Sequence, residues 1–251
     1  MKRVSSVLLV LLVLAALLAA AGCGQEQVTI NKGKLLMLGN ENIAFLEIQD
    51  GKPTGFSAEL AGAIAERLGL ELEVTTLPFS ELFSRLNSGA CDIVMSAVTI
   101  TPERQAEMDF SDSYFASGQA LLVPKDSTIA GETDLQGRTV GVLKGSTNQK
   151  EAEKIQGIGK IVQFDGKPEM FDALVAGQLD AVICDTPFAQ FNAKETGKTR
   201  IAKVLTRGDQ YGIAVKKGNS KLLTRINEAL AETRKDGTYD RLYKKYFGAK
   251  I

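Results

Sequence analysis

The 251-residue chain has no histidine and no tryptophan, and only three cysteines and six prolines. Without histidine it lacks the commonest general base and the commonest zinc ligand. Ser-His-Asp and Cys-His nucleophilic sites are excluded, as are histidine-ligated metal centres. The cysteines stand singly at 23, 91 and 184 and match no metal-ligand spacing. Neither sign of charge dominates: 30 Lys and Arg face 30 Asp and Glu. No basic field exists to attract nucleic acid. Nucleotide motifs are missing too. Gly197-Lys198-Thr199 has Asn192 where a phosphate loop needs glycine, and Gly157-Ile158-Gly159 is too short for a dinucleotide fingerprint. No cofactor is expected.

What is present is ordinary globular composition, 44% apolar and 24% charged. The length implies one or two domains with a real core. Lys2 and Arg3 precede an uncharged apolar run, Val7 to Ala21. The run is too short to span a bilayer comfortably and reads as a secretory signal over residues 1–22. The small residues before Cys23 resemble a bacterial lipobox, with Ala20 where leucine is preferred. Cys23 is then the acylated N-terminus of the mature chain; the alternative is cleavage after Ala21, leaving a free thiol. Residues 23–29 would form a tether to the membrane surface. The mature chain carries 28 cations against 30 anions.

From residue 35 onward, apolar strands alternate with helical patterns, which predicts an α/β fold with mixed, mostly parallel sheets and flanking helices. Strands are expected at Leu35–Leu38, Leu72–Thr76, Asp92–Ala97, Gln119–Val123, Thr139–Val142, Ile161–Phe164, Ala181–Cys184 and Gly212–Val215. Helices are expected over Phe56–Leu68, stopped by Gly69, over Phe79–Asn87, and from Ser220 to Phe247. One device occurs twice. Phe83, Leu86, Gly89 and Asp92 recur as Phe171, Leu174, Gly177 and Asp180, 88 residues later, each set followed by an apolar strand. Phe and Leu three apart share a helix face. Glycine ends the helix at positive φ, and Asp opens the turn into the strand. Two copies imply two similar lobes.

Open α/β sheets bind ligands at the carboxyl ends of their strands. After the first repeated strand come Ser96, Ala97, Thr99, Thr101, Pro102 and Arg104; after the second come Cys184, Asp185, Thr186 and Pro187. Arg104 offers a planar fork that matches a carboxylate, and Ser96 and Thr99 add hydroxyls. Asp185 suits a cation. Such a pair in one cleft fits a zwitterion. The plainer readings are a surface Arg104 paired with Glu107 or Asp109, and an Asp185 that merely caps the next helix. Gly145-Ser146-Thr147 is a further anion-binding turn. Phe45, Phe79 and Phe83 are the apolar candidates, Phe79 being the best placed to cover a ligand.

Several stretches together resemble the polar amino acid-binding proteins of bacterial ABC importers, solute-binding family 3. They are Gly51-Lys-Pro-Thr-Gly-Phe-Ser-Ala-Glu-Leu60, Ser96-Ala-Val-Thr-Ile-Thr-Pro-Glu-Arg104, Met108-Asp-Phe-Ser-Asp-Ser-Tyr114, Gly141-Val-Leu-Lys-Gly-Ser-Thr147, Leu179-Asp-Ala-Val-Ile-Cys-Asp185 and Asp236-Gly-Thr-Tyr-Asp240. The resemblance implies a two-lobed, type II periplasmic binding protein-like fold. Lobe 1 would be residues 30–113 plus 212–251 and lobe 2 residues 119–206, with hinge segments at 114–118 and 207–211. It implies that Arg104 holds the ligand carboxylate, with Thr99, Ser146 and Thr147. Asp185 would hold the ammonium, beside Ser96 and Ala97, and Phe79 would cover the side chain. The implied protein is not an enzyme. It is a monomer outside the cytoplasm, lipid-anchored through Cys23, binding a free L-amino acid for an ABC permease. The same fold also serves cyclohexadienyl dehydratases and sensor modules, which remain the alternatives.

The loop Gly39 to Leu46 departs from the family pattern. Either Asn40 or Glu41 takes the position that is often acidic, and Ile43 or Phe45 the aromatic one. Asn40 implies a neutral polar ligand; Glu41 implies Lys, Arg or ornithine. Leu143 and Cys184 stand where relatives often place polar contacts. Cys91 and Cys184 fall in different lobes and are expected to be free thiols.

Overall fold

The computed structural model describes residues 28–248. The signal segment and Cys23 lie outside the described residues.

The chain begins with β1 (Lys34–Gly39), a small hairpin of β2 (Glu47–Gln49) and β3 (Lys52–Thr54), α1 (Phe56–Leu68) and β4 (Glu71–Thr76). Then α2 (Leu82–Ser88) leads to β5 (Ile93–Val94), and α3 (Pro102–Glu107) to β6 (Met108–Phe110). After β7 (Phe115–Ser117) come β8 (Gln119–Pro124), β9 (Thr139–Leu143), α4 (Thr147–Lys154), β10 (Lys160–Phe164) and α5 (Lys167–Val175). β11 (Ala181–Asp185), α6 (Thr186–Thr196) and β12 (Thr199–Val204) complete the second half. β13 (Asp209–Tyr211), β14 (Ala214–Lys216), α7 (Ser220–Lys235) and α8 (Thr238–Phe247) end the chain.

Two five-stranded sheets result, ordered β4-β1-β5-β14-β6 and β10-β9-β11-β8-β12. They share one topology. In each, three strands joined by helices run parallel, and two further strands join antiparallel beside the third. Four of the five strands in each sheet therefore point the same way, as expected of mixed, mostly parallel sheets, and β8 and β14 are the exceptions. The cause is connectivity: β8 and β14 each start where the chain has just come from the other sheet, so they run against the parallel trio. The two passages between sheets pair with each other as the antiparallel strands β7 and β13.

The repeated device sits at matching places. Gly89 (φ 79°) and Gly177 (φ 75°) take the left-handed conformation that stops each helix. Each Asp does more than open a turn. The Asp92 carboxylate accepts the N–H of Leu36 at 2.8 Å and of Ile30 at 2.7 Å. That of Asp180 accepts the N–H of Thr139 at 2.8 Å. Both return a backbone N–H to the same partners, Leu36 and Thr139, at 2.9 Å. The pair thus pins β5 to β1 and β11 to β9.

Helix α1 keeps its expected bounds, with Gly69 left-handed after it. Its face of Leu60, Ile64 and Leu68 is buried, each side chain worth about 1.5–3 kcal/mol relative to exposure. Three expectations shift. Phe79–Glu81 is a 3-10 turn ahead of α2, not its first turn. Only Ile93–Val94 of the expected Asp92–Ala97 strand pairs in the sheet; beyond it, Ala97 takes φ 52° and turns the chain away. The C-terminal helix is two helices, broken at Asp236-Gly237 by left-handed Gly237 (φ 79°). The largest core cluster joins both halves through the aromatics Phe45, Phe56, Tyr114, Phe115, Phe188 and Tyr211.

Candidate functional site

One small cavity lies between the two sheets. The first half contributes Phe79, Ala97, Thr99 and Arg104 to its walls. The second half contributes Leu143, Ser146, Thr147, Asn148, Lys167 and Asp185. The walls approach closely, leaving about 10 Å³ for water centres, the space of roughly one molecule.

Arg104 is placed by the start of α3. The Thr101 hydroxyl accepts the Arg104 N–H at 3.3 Å, and Pro102 supplies the fixed first helical φ. The guanidinium lies 4.8 Å from the Phe83 ring centroid and 5.7 Å from that of Phe79. Nη1 donates to the Thr99 carbonyl at 2.8 Å and Nη2 to the Gly145 carbonyl, across the cleft, at 3.4 Å. Desolvation lowers the guanidinium to about 10, opposed by the charges of Asp185 and Glu103. It is not a surface ion pair; Asp109 is held by Lys217 at 2.8 Å.

Asp185 ends β11. Its side chain makes no helix cap. Instead its carboxylate accepts from Tyr211 Oη at 2.6 Å and Asn148 Nδ2 at 2.9 Å. Burial pushes its carboxyl up; Lys167, Tyr211 and Asn148 work the other way. Ser146 caps α4, accepting the Gln149 N–H at 3.2 Å and donating to the Leu143 carbonyl at 2.6 Å. Thr147 opens that helix at the cavity wall. Thr99 is buried and bridges to Tyr211 of β13.

Asn148 and Lys167 are the cavity residues that sequence reasoning missed, and Lys167 bears the charge. It is 3% exposed, on the first turn of α5. Its ammonium lies 4.5 Å from the Phe188 ring centroid and 5.7 Å from that of Phe79. Desolvation lowers it to about 8, partly offset by the Asp185 charge. A signal existed: Gly166-Lys167-Pro168 follows the parallel strand β10, at the same strand end that directed attention to Arg104 and Asp185.

In the Gly39–Leu46 loop the two candidates, Asn40 and Glu41, differ in burial. Asn40 is buried and turned toward the second half; its amide donates to the Asp165 carbonyl at 3.2 Å and to the Leu77 carbonyl at 3.0 Å. Its Oδ1 is buried without a partner, as is that of Asn148. Glu41 is exposed and accepts from Thr76 Oγ1 at 3.1 Å. Both line a shallow groove beside the cavity. Ser96 is buried and serves the loop: its hydroxyl accepts the Asn40 N–H at 2.9 Å.

Besides Asn40, Glu41 and Ser96, three further expected residues are not brought to the cavity wall. Phe45 is buried among Phe56, Phe115, Phe188, Tyr211 and Phe247, all with ring centroids within 6.1 Å. Ile43 packs partly buried against the same core. Cys184 faces that core too, because neighbours on a strand point to opposite faces and Asp185 takes the cavity side. Cys91 and Cys184 are both buried and free.

Two like α/β lobes around a cleft lined by charges of both signs define a two-lobed solute-binding protein. The chain belongs to the bacterial extracellular solute-binding proteins, family 3, which it matches over residues 39–249. It is 34% identical to the ABC transporter glutamine-binding protein GlnH of Bacillus subtilis (strain 168), over 98% of this chain and 97% of that protein. An ancestral arginine-binding protein bound to arginine is 40% identical, with a TM-score of 0.81 over 86% of this chain and 99% of that one. The ancestral amino acid-binding protein AncCDT-1, a precursor of cyclohexadienyl dehydratase, is 35% identical, with a TM-score of 0.80 over 86% and 96%. The fold is thus the type II arrangement. No helix among the described residues is long and apolar enough to cross a membrane.

Proposed function

We propose that the protein is an extracytoplasmic amino acid-binding lipoprotein that delivers a free amino acid to an ABC importer by closing its lobes over the ligand. The observation that carries this reading is the placing of Arg104 and Asp185, from different lobes, on one buried cavity. In this reading the Arg104 fork and Thr147 take the ligand carboxylate, Thr99 takes its backbone, and Asp185 takes the ammonium. Phe79 covers the side chain. Residues 30–113 plus 212–251 and residues 119–206 move as the two lobes, about hinges at 114–118 and 207–211. The Arg104–Gly145 and Asn40–Asp165 hydrogen bonds belong to the closed form. A ligand favours closure only by contacts that the open form lacks. Cys23 holds the monomer to the membrane by lipid, where a permease recognises the closed state.

The test is thermal unfolding of the lipid-free mature protein, stripped by unfolding and refolding, with the twenty amino acids, ornithine and citrulline. A selective rise in Tm with an accompanying fall in radius of gyration by small-angle scattering supports the reading. No rise with any of them overturns it. A dehydratase is the second reading, favoured by one observation: Lys167, lowered to about 8, is a proton donor in the cleft. Turnover of prephenate or arogenate would establish it.

A further inference from the structure

We infer that Lys167 sets ligand specificity: the site takes an amino acid whose side chain ends in an oxygen acceptor, carboxylate before carboxamide, and rejects arginine, lysine and ornithine. This rests on the amino acid-binding reading above.

Lys167 reaches the cavity wall from the second half, opposite Phe79. Its ammonium is bounded by Phe79 of the first lobe and Phe188 of the second. An ammonium carries three donors. Among the described residues, Nζ donates to no protein acceptor and forms no ion pair within 4.0 Å. Asp185 acts on it through space without coming within ion-pair distance. Aromatic faces attract a cation but do not accept its hydrogen bonds as oxygen does. The burial that lowers Lys167 to about 8 expresses this shortage. An oxygen on the ligand supplies what the protein withholds.

Charge balance points the same way. The described cavity wall carries two cations, Arg104 and Lys167, and one anion, Asp185. The backbone of a zwitterionic amino acid adds nothing to that sum, so a positive surplus remains in a closed, poorly solvated space. A side-chain carboxylate cancels it. A neutral carboxamide offers a dipole. A cationic side chain doubles the surplus, and burying unpaired charge is among the costliest changes a site can make. Three acids, Glu41, Asp165 and Glu169, stand exposed along the shallow groove beside the cavity and not on the cavity wall itself. In the position facing the second lobe stands Asn40, which is neutral.

Isothermal titration of the stripped mature protein tests this, with glutamate, aspartate, glutamine, asparagine, alanine, arginine, lysine and ornithine as probes. The expected order places glutamate, aspartate or their amides first, and the three basic amino acids at least about 100-fold weaker. In Lys167→Met, and in the less intrusive Lys167→Gln, the acidic-to-basic preference falls at least about 30-fold. A wild-type protein that binds arginine, lysine or ornithine best overturns the inference and leaves the amino acid reading standing. So does a preference that both Lys167 variants retain. Binding of none of the probes overturns both.

Discussion

Replacing Arg104 by alanine separates a ligand-binding arginine from a structural one, because the two roles predict opposite pairs of results. Within the protein the guanidinium is desolvated and gains one good hydrogen bond, to the Thr99 carbonyl at 2.8 Å, and the Phe83 face at 4.8 Å. Losing these costs about 1–2 kcal/mol, and losing a poorly solvated charge returns part of it. The net change is about 1 kcal/mol or less, a Tm shift of roughly 2–4 °C for a chain of this size. With ligand bound the loss is larger. Removing one partner of a buried charge pair costs about 2–5 kcal/mol, or about 30-fold to several thousand-fold in Kd. At a ligand concentration 1,000 times the wild-type Kd, wild type gains about 4 kcal/mol of stability, but a variant weakened 1,000-fold gains only about 0.4 kcal/mol. Differential scanning fluorimetry with and without ligand reads both numbers. Arg104→Lys, which keeps the charge and loses the fork, should fall between. A variant that keeps the wild-type ligand shift refutes the assignment. So does a ligand-free Tm that drops by more than about 10 °C, since that makes Arg104 a structural residue.

Four further outcomes are expected. Phe45→Ala should cost about 3–5 kcal/mol by chemical denaturation, as for a core aromatic, and leave Kd unchanged in the folded protein, whereas Phe79→Ala should raise Kd at least about tenfold. Asp92→Ala strands two backbone N–H groups and Asp180→Ala one, so the first should destabilise by about 2–5 kcal/mol and the second by about half that. Burial pushes the Cys91 thiol up to about 12 and the Cys184 thiol higher still; neither should react with a thiol reagent at pH 8 until the protein unfolds, and mass spectrometry should find no 91–184 bridge. Lys167 is lowered from 10.5 to about 8 on folding, so its burial cost is fully present below pH 8 and is relieved as pH rises toward 10.5. Wild type should therefore gain stability relative to Lys167→Met as pH rises from about 8. The comparison with the variant cancels the thiols and tyrosines that titrate higher. Asp185, Cys184 and Arg104 are the charged or titratable groups on the surrounding elements. A constant difference between the two proteins refutes the assignment.

The parts of the fold that were legible in the sequence are those enforced locally. Helix α1 could be bounded because apolar spacing and a left-handed glycine act within a few residues. The repeat Phe–Leu–Gly–Asp could be read as one device used twice because each glycine must stop a helix where it stands. What Asp92 and Asp180 do beyond that was hidden, since their partners Leu36 and Thr139 lie tens of residues away. The C-terminal break at Asp236-Gly237 was readable from the dipeptide and was passed over because the amphipathic pattern runs through it. The end of β5 was not readable. Met95 and Val98 are as buried as strand residues, yet Ala97 bends the chain out of the sheet. Burial by itself does not distinguish a strand from a segment turning toward a cleft.

The site shows the same division, and the reason bears on specificity. Arg104 and Asp185 could be named because each follows a repeated strand, and the carboxyl end of such a strand is where this architecture meets its ligand. Whether Asn40 or Glu41 turns inward depends on contacts the loop makes with residues far along the chain. The Asn40 amide reaches the carbonyl of Asp165, 125 residues away, and Ser96 holds the Asn40 N–H from a third element. A shift of one residue would exchange a neutral side chain for a carboxylate and reverse the charge the cleft accepts. Lys167 follows from the same contact. The segment that meets Asn40 also begins α5, so whatever fixes the loop register brings the first turn of α5 against the cavity. The neutral residue and the buried cation therefore come together, and a substitution that loosens one should disturb the other. Asn40→Asp alone places a carboxylate on the loop that meets the segment before Lys167 and should weaken glutamate without admitting arginine. Only with Lys167→Met in addition should arginine bind. Titration of the single and double variants decides this: arginine binding by Asn40→Asp alone would show that the two residues act independently.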